Sequence, residues 1–89
     1  MPDIIISEII EGEDGYQAHV FVDEKEFEVF VSHEQYEQLT RGHEEVESLV
    51  RRTFEFLLAR EPKEVIMHQF DLDTVARFFP EYPDKIRHM

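Results

Sequence analysis

Five histidines, His19, His33, His43, His68 and His88, are the side chains best suited to hold a metal or move a proton near neutral pH. Two have a carboxylate one helical turn ahead, His33 with Glu37 and His43 with Glu47, a spacing that sets each pair on one helix face. Zinc asks for three or four such ligands with a supporting shell, and these pairs fall on separate predicted helices, so no metal ligand is assigned. Glu11-Gly12-Glu13-Asp14-Gly15 offers the carboxylates of a calcium loop without its alternating ligand frame and terminal bidentate glutamate; it reads as a tight turn with solvated acids. The three serines, Ser7, Ser32 and Ser48, could be nucleophiles by type, but none stands in a nucleophile elbow. Gly12, Gly15 and Gly42 make no phosphate cradle, and the absence of cysteine removes thiolate chemistry and disulfides together. No catalytic residue and no cofactor are expected, and the chain is read as a non-enzyme.

Charge is more informative than motif. Up to Val50, fourteen acids face only Lys25 and Arg41, which accounts for the whole net charge of -12; from Arg51 onward, seven acids meet seven bases. A surface this acidic opposes direct nucleic-acid binding, which needs a basic stripe, and favours either a basic protein partner or simple solubility. At 89 residues the chain is expected to be one domain, and 42% hydrophobic with 12% aromatic residues is enough to fold despite 34% charge. Nothing approaches a membrane span, and Met1-Pro2-Asp3 lacks a basic signal-peptide start, so the expected location is the cytoplasm with no membrane contact.

The elements that would position these residues follow from periodicity. Asp3 to Ile10 is rich in β-branched residues and runs into the Glu11–Gly15 turn, predicting a first strand. Tyr16 to Val22 and Phe27 to Val31 alternate, with Tyr16, Ala18, Val20, Val22, Phe27, Val29 and Val31 on core faces and Phe21 and Phe30 on the reverse. Ser32 is placed to cap a short helix ending near Arg41-Gly42. From Glu44 to about Arg60, apolar residues recur at helical spacing over an arc of about 200°, which predicts a long helix covered from two sides. Lys63 to Phe70 fits neither period and is assigned a short helical segment; Asp71 caps a last helix, Leu72 to Phe79, and 81–89 is a tail docked by Tyr82. Strands over 3–32, helices over 33–80 and the tail make an α+β fold, a three-stranded antiparallel meander packed on one long helix with shorter flanking helices.

The segment Leu49-Val50-Arg51-Arg52-Thr53-Phe54-Glu55-Phe56-Leu57-Leu58-Ala59-Arg60-Glu61-Pro62-Lys63-Glu64, followed by Phe70-Asp71-Leu72 and Phe78-Phe79-Pro80-Glu81-Tyr82, resembles a group of small bacterial proteins of uncharacterised function. They share an FxFLLxREPKE segment and end in FDL…FPEY. The resemblance covers the C-terminal half and implies a bacterial, cytoplasmic, stand-alone domain. It brings no catalytic or binding residues with it.

What remains is surface. Phe21 and Phe30 point away from the valines, where helices on one side of the sheet would leave them exposed as an interface, unless Ile5 and Ile9 join them in a second small core. Acids cluster at the two hairpin tips, Glu11, Glu13 and Asp14 on one and Asp23, Glu24 and Glu26 on the other, at opposite ends of a meander. The expected function is an acidic protein-interaction module, a regulator or antitoxin-like partner, with Phe21, Phe30, Glu11, Asp14, Asp23 and Glu24 as candidate contacts. The alternative is a homodimeric domain binding a small ligand or metal.

Overall fold

A computed structural model describes residues 3–88. The sheet has four strands in the order β1 (Ile4–Glu11), β2 (Gly15–Val22), β3 (Lys25–Ser32) and β4 (Gln69–Asp71). The first three form the expected antiparallel meander, but β4 lies parallel to β3, so the sheet is mixed and four-stranded rather than a three-stranded meander. Alternation in β2 and β3 settles the two faces. Ala18, Val20, Val22, Phe27, Val29 and Val31 are all fully buried under the helices.

Local chemistry sets the connections. Gly15 is a glycine because a Cβ there would stand 2.2 Å from the Val31 carbonyl oxygen of the neighbouring strand. The β2–β3 turn is tight, and Asp23 takes a left-handed conformation (φ 55°) that aspartate tolerates better than most residues. In β1 the register shifts between Ile6 and Glu8, leaving Ser7 as the extra residue of a bulge, its Oγ donating to the His19 carbonyl at 3.1 Å. Because a bulge resets the side-chain parity, Ile4, Ile6 and Ile9 all pack toward the core, while Ile5 and Ile10 face outward. Ile9 therefore does not join Phe21 and Phe30.

Helix α1 (His33–Thr40) opens on a capping box: the Ser32 hydroxyl accepts from the Gln35 N–H at 3.0 Å, and the Gln35 side chain accepts from the Ser32 N–H at 3.1 Å. It closes where Arg41 and Gly42 both turn left-handed. The long helix α2 (Val46–Leu58) buries Val46, Leu49, Val50, Thr53, Phe54, Phe56 and Leu57. That wide arc is covered twice, as its width requires. Phe54 reaches the sheet side, its ring 5.3 Å from Phe27 and 5.8 Å from Phe70, while Phe56 meets Phe79 at 5.7 Å and Tyr82 at 5.2 Å on the other.

Two C-terminal assignments need correction. Lys63 to Phe70 is not a helical segment: a single 3-10 turn, Lys63–Val65, leads into β4, because Phe70 has a slot beside Val29 in which extended backbone completes the sheet. The expected tail forms α4 (Tyr82–Arg87), anchored by buried Tyr82 and Ile86 one helical turn apart. Between them α3 (Leu72–Phe78) starts at Asp71, whose carboxylate accepts from the Thr74 N–H at 2.8 Å. The Tyr82 hydroxyl is 2.8 Å from Thr53 Oγ1, and burial pushes its pKa up to about 12.

Side chains from the neutral half fasten these short elements to the rest. Arg52 binds Glu44 through Nε at 2.7 Å and through Nη2, and donates Nη1 to the Ile86 carbonyl near the end of α4. That guanidinium holds the Glu44 carboxyl below its ordinary range. Among the described residues, no helix is long and apolar enough to cross a membrane.

Candidate functional site

The sheet face turned away from the helices carries three rows of cross-strand neighbours. These are Ile5–Phe21–Glu26, Glu8–His19–Glu28–Gln69 and Ile10–Gln17–Phe30–Asp71. None of these side chains is fully buried. Ile5 and Ile10 are 54% and 58% exposed, and Phe21 and Phe30 are half-buried where they stand. The rows contain four carboxylates, Glu8, Glu26, Glu28 and Asp71, and neither lysine nor arginine. His19 lies at the centre, tilted against Phe21 with ring centroids 5.1 Å apart and Nε2 3.2 Å from a Glu26 carboxylate oxygen. Gln69 donates from Nε2 to Glu28 at 3.2 Å.

A second feature opens at the β4 border of the sheet. Leu57, Ile66, Phe70, Val75 and Phe79 floor an apolar groove of about 340 Å³ between the 63–67 segment and α3. Its rim is Val65, Met67 and Phe78, which are 60%, 47% and 70% exposed. Glu61 and Thr74 are its polar lining. A shallower depression shares Met67, Phe70, Thr74 and Phe78 with this groove and runs round the β4 edge to Gln17 and Phe30. The groove and the outer face are thus one connected surface, with Phe30 at the join. Exposed apolar side chains gathered in this way are a feature of interaction surfaces.

The expected contact residues fall in three places. Phe21 and Phe30 share the outer face. Glu11 and Asp14 sit at the β1–β2 tip, where Glu11 lies 3.3 Å from His33 Nε2 and the Asp14 carbonyl accepts from the His33 N–H at 3.1 Å. Asp23 and Glu24 sit at the opposite end, and Lys63 reaches both, Asp23 at 2.7 Å and Glu24 at 3.8 Å. The Lys63 hydrogen bond holds the Asp23 carboxyl below its ordinary range, and the Asp23 carboxylate raises Lys63. Asp23 is thereby engaged from within the chain, while Glu26 of the same tip stands opposite Phe21 on the outer face.

The histidine pairs do not form as spaced. His33 turns to Glu11 and packs edge-on against Tyr16 rather than meeting Glu37, and no bond joins His43 to Glu47. Among the described residues, no three histidine, aspartate or glutamate side chains converge on a point that could hold a metal. Val65, Met67 and Phe78 are surface residues that periodicity does not reveal. The available signal was the poor fit of Val65-Ile66-Met67 to either period, since an apolar run that no single face can bury leaves part of itself in water. No family model, curated protein or solved structure matches this chain.

Proposed function

We propose that this chain is a non-enzymatic protein-interaction module, a regulator or antitoxin-like partner, that binds a basic protein through the outer face of its sheet. One observation carries the reading: the three cross-strand rows of that face combine exposed Ile5 and Ile10, half-buried Phe21 and Phe30, and four carboxylates, with neither lysine nor arginine in the rows. Apolar contact supplies affinity there, and the acids select the sign of the partner. The homodimeric alternative sets two chains of net charge -12 against each other, a repulsion that the same face would have to overcome.

Affinity capture from a bacterial lysate tests it, at about 50 mM and about 500 mM NaCl, because screening weakens exposed charge pairs across that range. A stoichiometric basic protein retained at low salt, released at high salt and lost with the Glu26→Lys/Glu28→Lys double variant is the expected result. An acidic partner, or none, would overturn the reading. A salt-independent dimer by light scattering would favour the homodimer.

A further inference from the structure

Strand β4 borders the sheet on its outer side, and its main chain is open there. Residues along a parallel strand turn their N–H and C=O groups alternately to the two sides. The Glu28 N–H donates to the His68 carbonyl at 2.8 Å, so Phe70, in register with Val29, directs its main-chain groups at β3 and Gln69 directs its own away. Among the described residues, no group bonds the Gln69 N–H or carbonyl. That open edge runs beside the apolar groove, whose lining includes Met67, Phe70 and Phe78.

A strand laid along this edge would present alternate side chains to the two sides of the sheet. Those on the helix side would meet the groove rimmed by Val65, Met67 and Phe78. Those on the other side would stand next to Gln69 and Asp71, with Glu28 one strand further in behind Gln69. Among the described residues, Arg77, on the α3 wall, is the only base lining the groove or the depression joined to it. A second copy of this chain fits poorly, since it brings a further charge of -12 and a β4 of three residues.

We infer that β4 accepts an extended segment of the partner as a fifth strand, and that this segment alternates apolar residues, seated in the groove, with lysine or arginine beside Asp71 and reaching over Gln69 toward Glu28. The inference rests on the reading of the chain as a binder of basic proteins and adds where and in what form the partner docks. Main-chain pairing supplies affinity, and the alternation supplies selectivity.

The test uses the full chain and two synthetic peptides of identical composition, one alternating leucine with lysine and one with the leucines and lysines in separate blocks. The alternating peptide should bind at least tenfold more tightly, with the Gln69 amide proton shifted and its hydrogen exchange slowed. Gln69→Pro removes an N–H that β3 does not use, a position where an edge strand tolerates proline, and Phe78→Ser alters a side chain that is 70% exposed; each should abolish the preference. Equal affinity for the two peptides, or unchanged binding in both variants with the fold intact by circular dichroism, overturns the inference. If those variants also still capture a basic protein that Glu26→Lys/Glu28→Lys releases, the proposed function stands without it. Failure of every basic probe removes both.

Discussion

The acidic half up to Val50 and the neutral half from Arg51 are held together by different means. In the acidic half, regularity does the work: three eight-residue strands pair through tight turns, and the repeating alternation of β2 and β3 buries six residues completely. Beyond α2, elements of three to seven residues cannot hold themselves by hydrogen-bond repetition. They are held by individual anchors, Phe70 in the core, Asp71 capping α3, Tyr82 on Thr53 and Arg52 on the Ile86 carbonyl. Short elements with gaps between them create a groove, whereas regular ones create a face. This contrast explains why the molecule presents both kinds of surface side by side.

The largest perturbation should come where the two halves share a core. Phe54 lies between Phe27 of the sheet and Phe70 of the late segment, so Phe54→Ala should cost about 3–5 kcal/mol in denaturant titration. Far-ultraviolet circular dichroism and tyrosine fluorescence should still report one coincident transition. Separate transitions would mean that the halves are independent, and the comparison would break.

Arg52 tests the polar seam at intermediate size. Arg52→Met removes hydrogen bonds to Glu44 and to Ile86 from a pair whose side chains are only 18% and 23% exposed, and should cost about 1.5 to 3 kcal/mol. The sign of its pH dependence follows from the lowered Glu44 pKa: the contribution is complete above the ordinary glutamate value of 4.5 and is lost as pH falls through the lower folded value. The stability gap between wild type and Arg52→Met should therefore narrow on acidification below that point. A gap that stays constant would assign the effect to α4 packing instead.

The Lys63 contact with the Asp23 tip should give the smallest effect. Both groups border solvent, so Lys63→Met should lower stability slightly at low ionic strength and not measurably at high. A loss that persists in salt would show that the 3-10 turn depends on this contact more than on the anchoring of Phe70.

The same contrast governs what could be read in advance. The alternation of Tyr16 to Val31, the helical arc around Phe54 and the Ser32 cap are repeated or chemically marked patterns, and each appears in the structure where expected. β4 was illegible because three residues contain less than two periods, and their strand conformation comes from the vacancy beside Val29, a fact of tertiary structure. The proline next to Tyr82 looks like punctuation but occupies the first turn of α4, where proline fits. Nothing in the local sequence marks the Ser7 bulge. On the surface, Phe21 and Phe30 were visible from strand parity, while the groove was hidden because one of its walls follows β4.

At the opposite border of the sheet, the Ser7 bulge has a bearing on what the chain does at high concentration. β1 is an eight-residue edge with five isoleucines, the kind of strand on which another chain can template itself. The extra residue interrupts the even spacing of its outward main-chain groups, so an incoming strand in register with Ile4–Ile6 falls out of register before it reaches Ile9 and Ile10. Glu8 and Glu11 add like charge along the same border. A single serine thus works as insulation, leaving β4 as the border at which a new strand can be laid down in step.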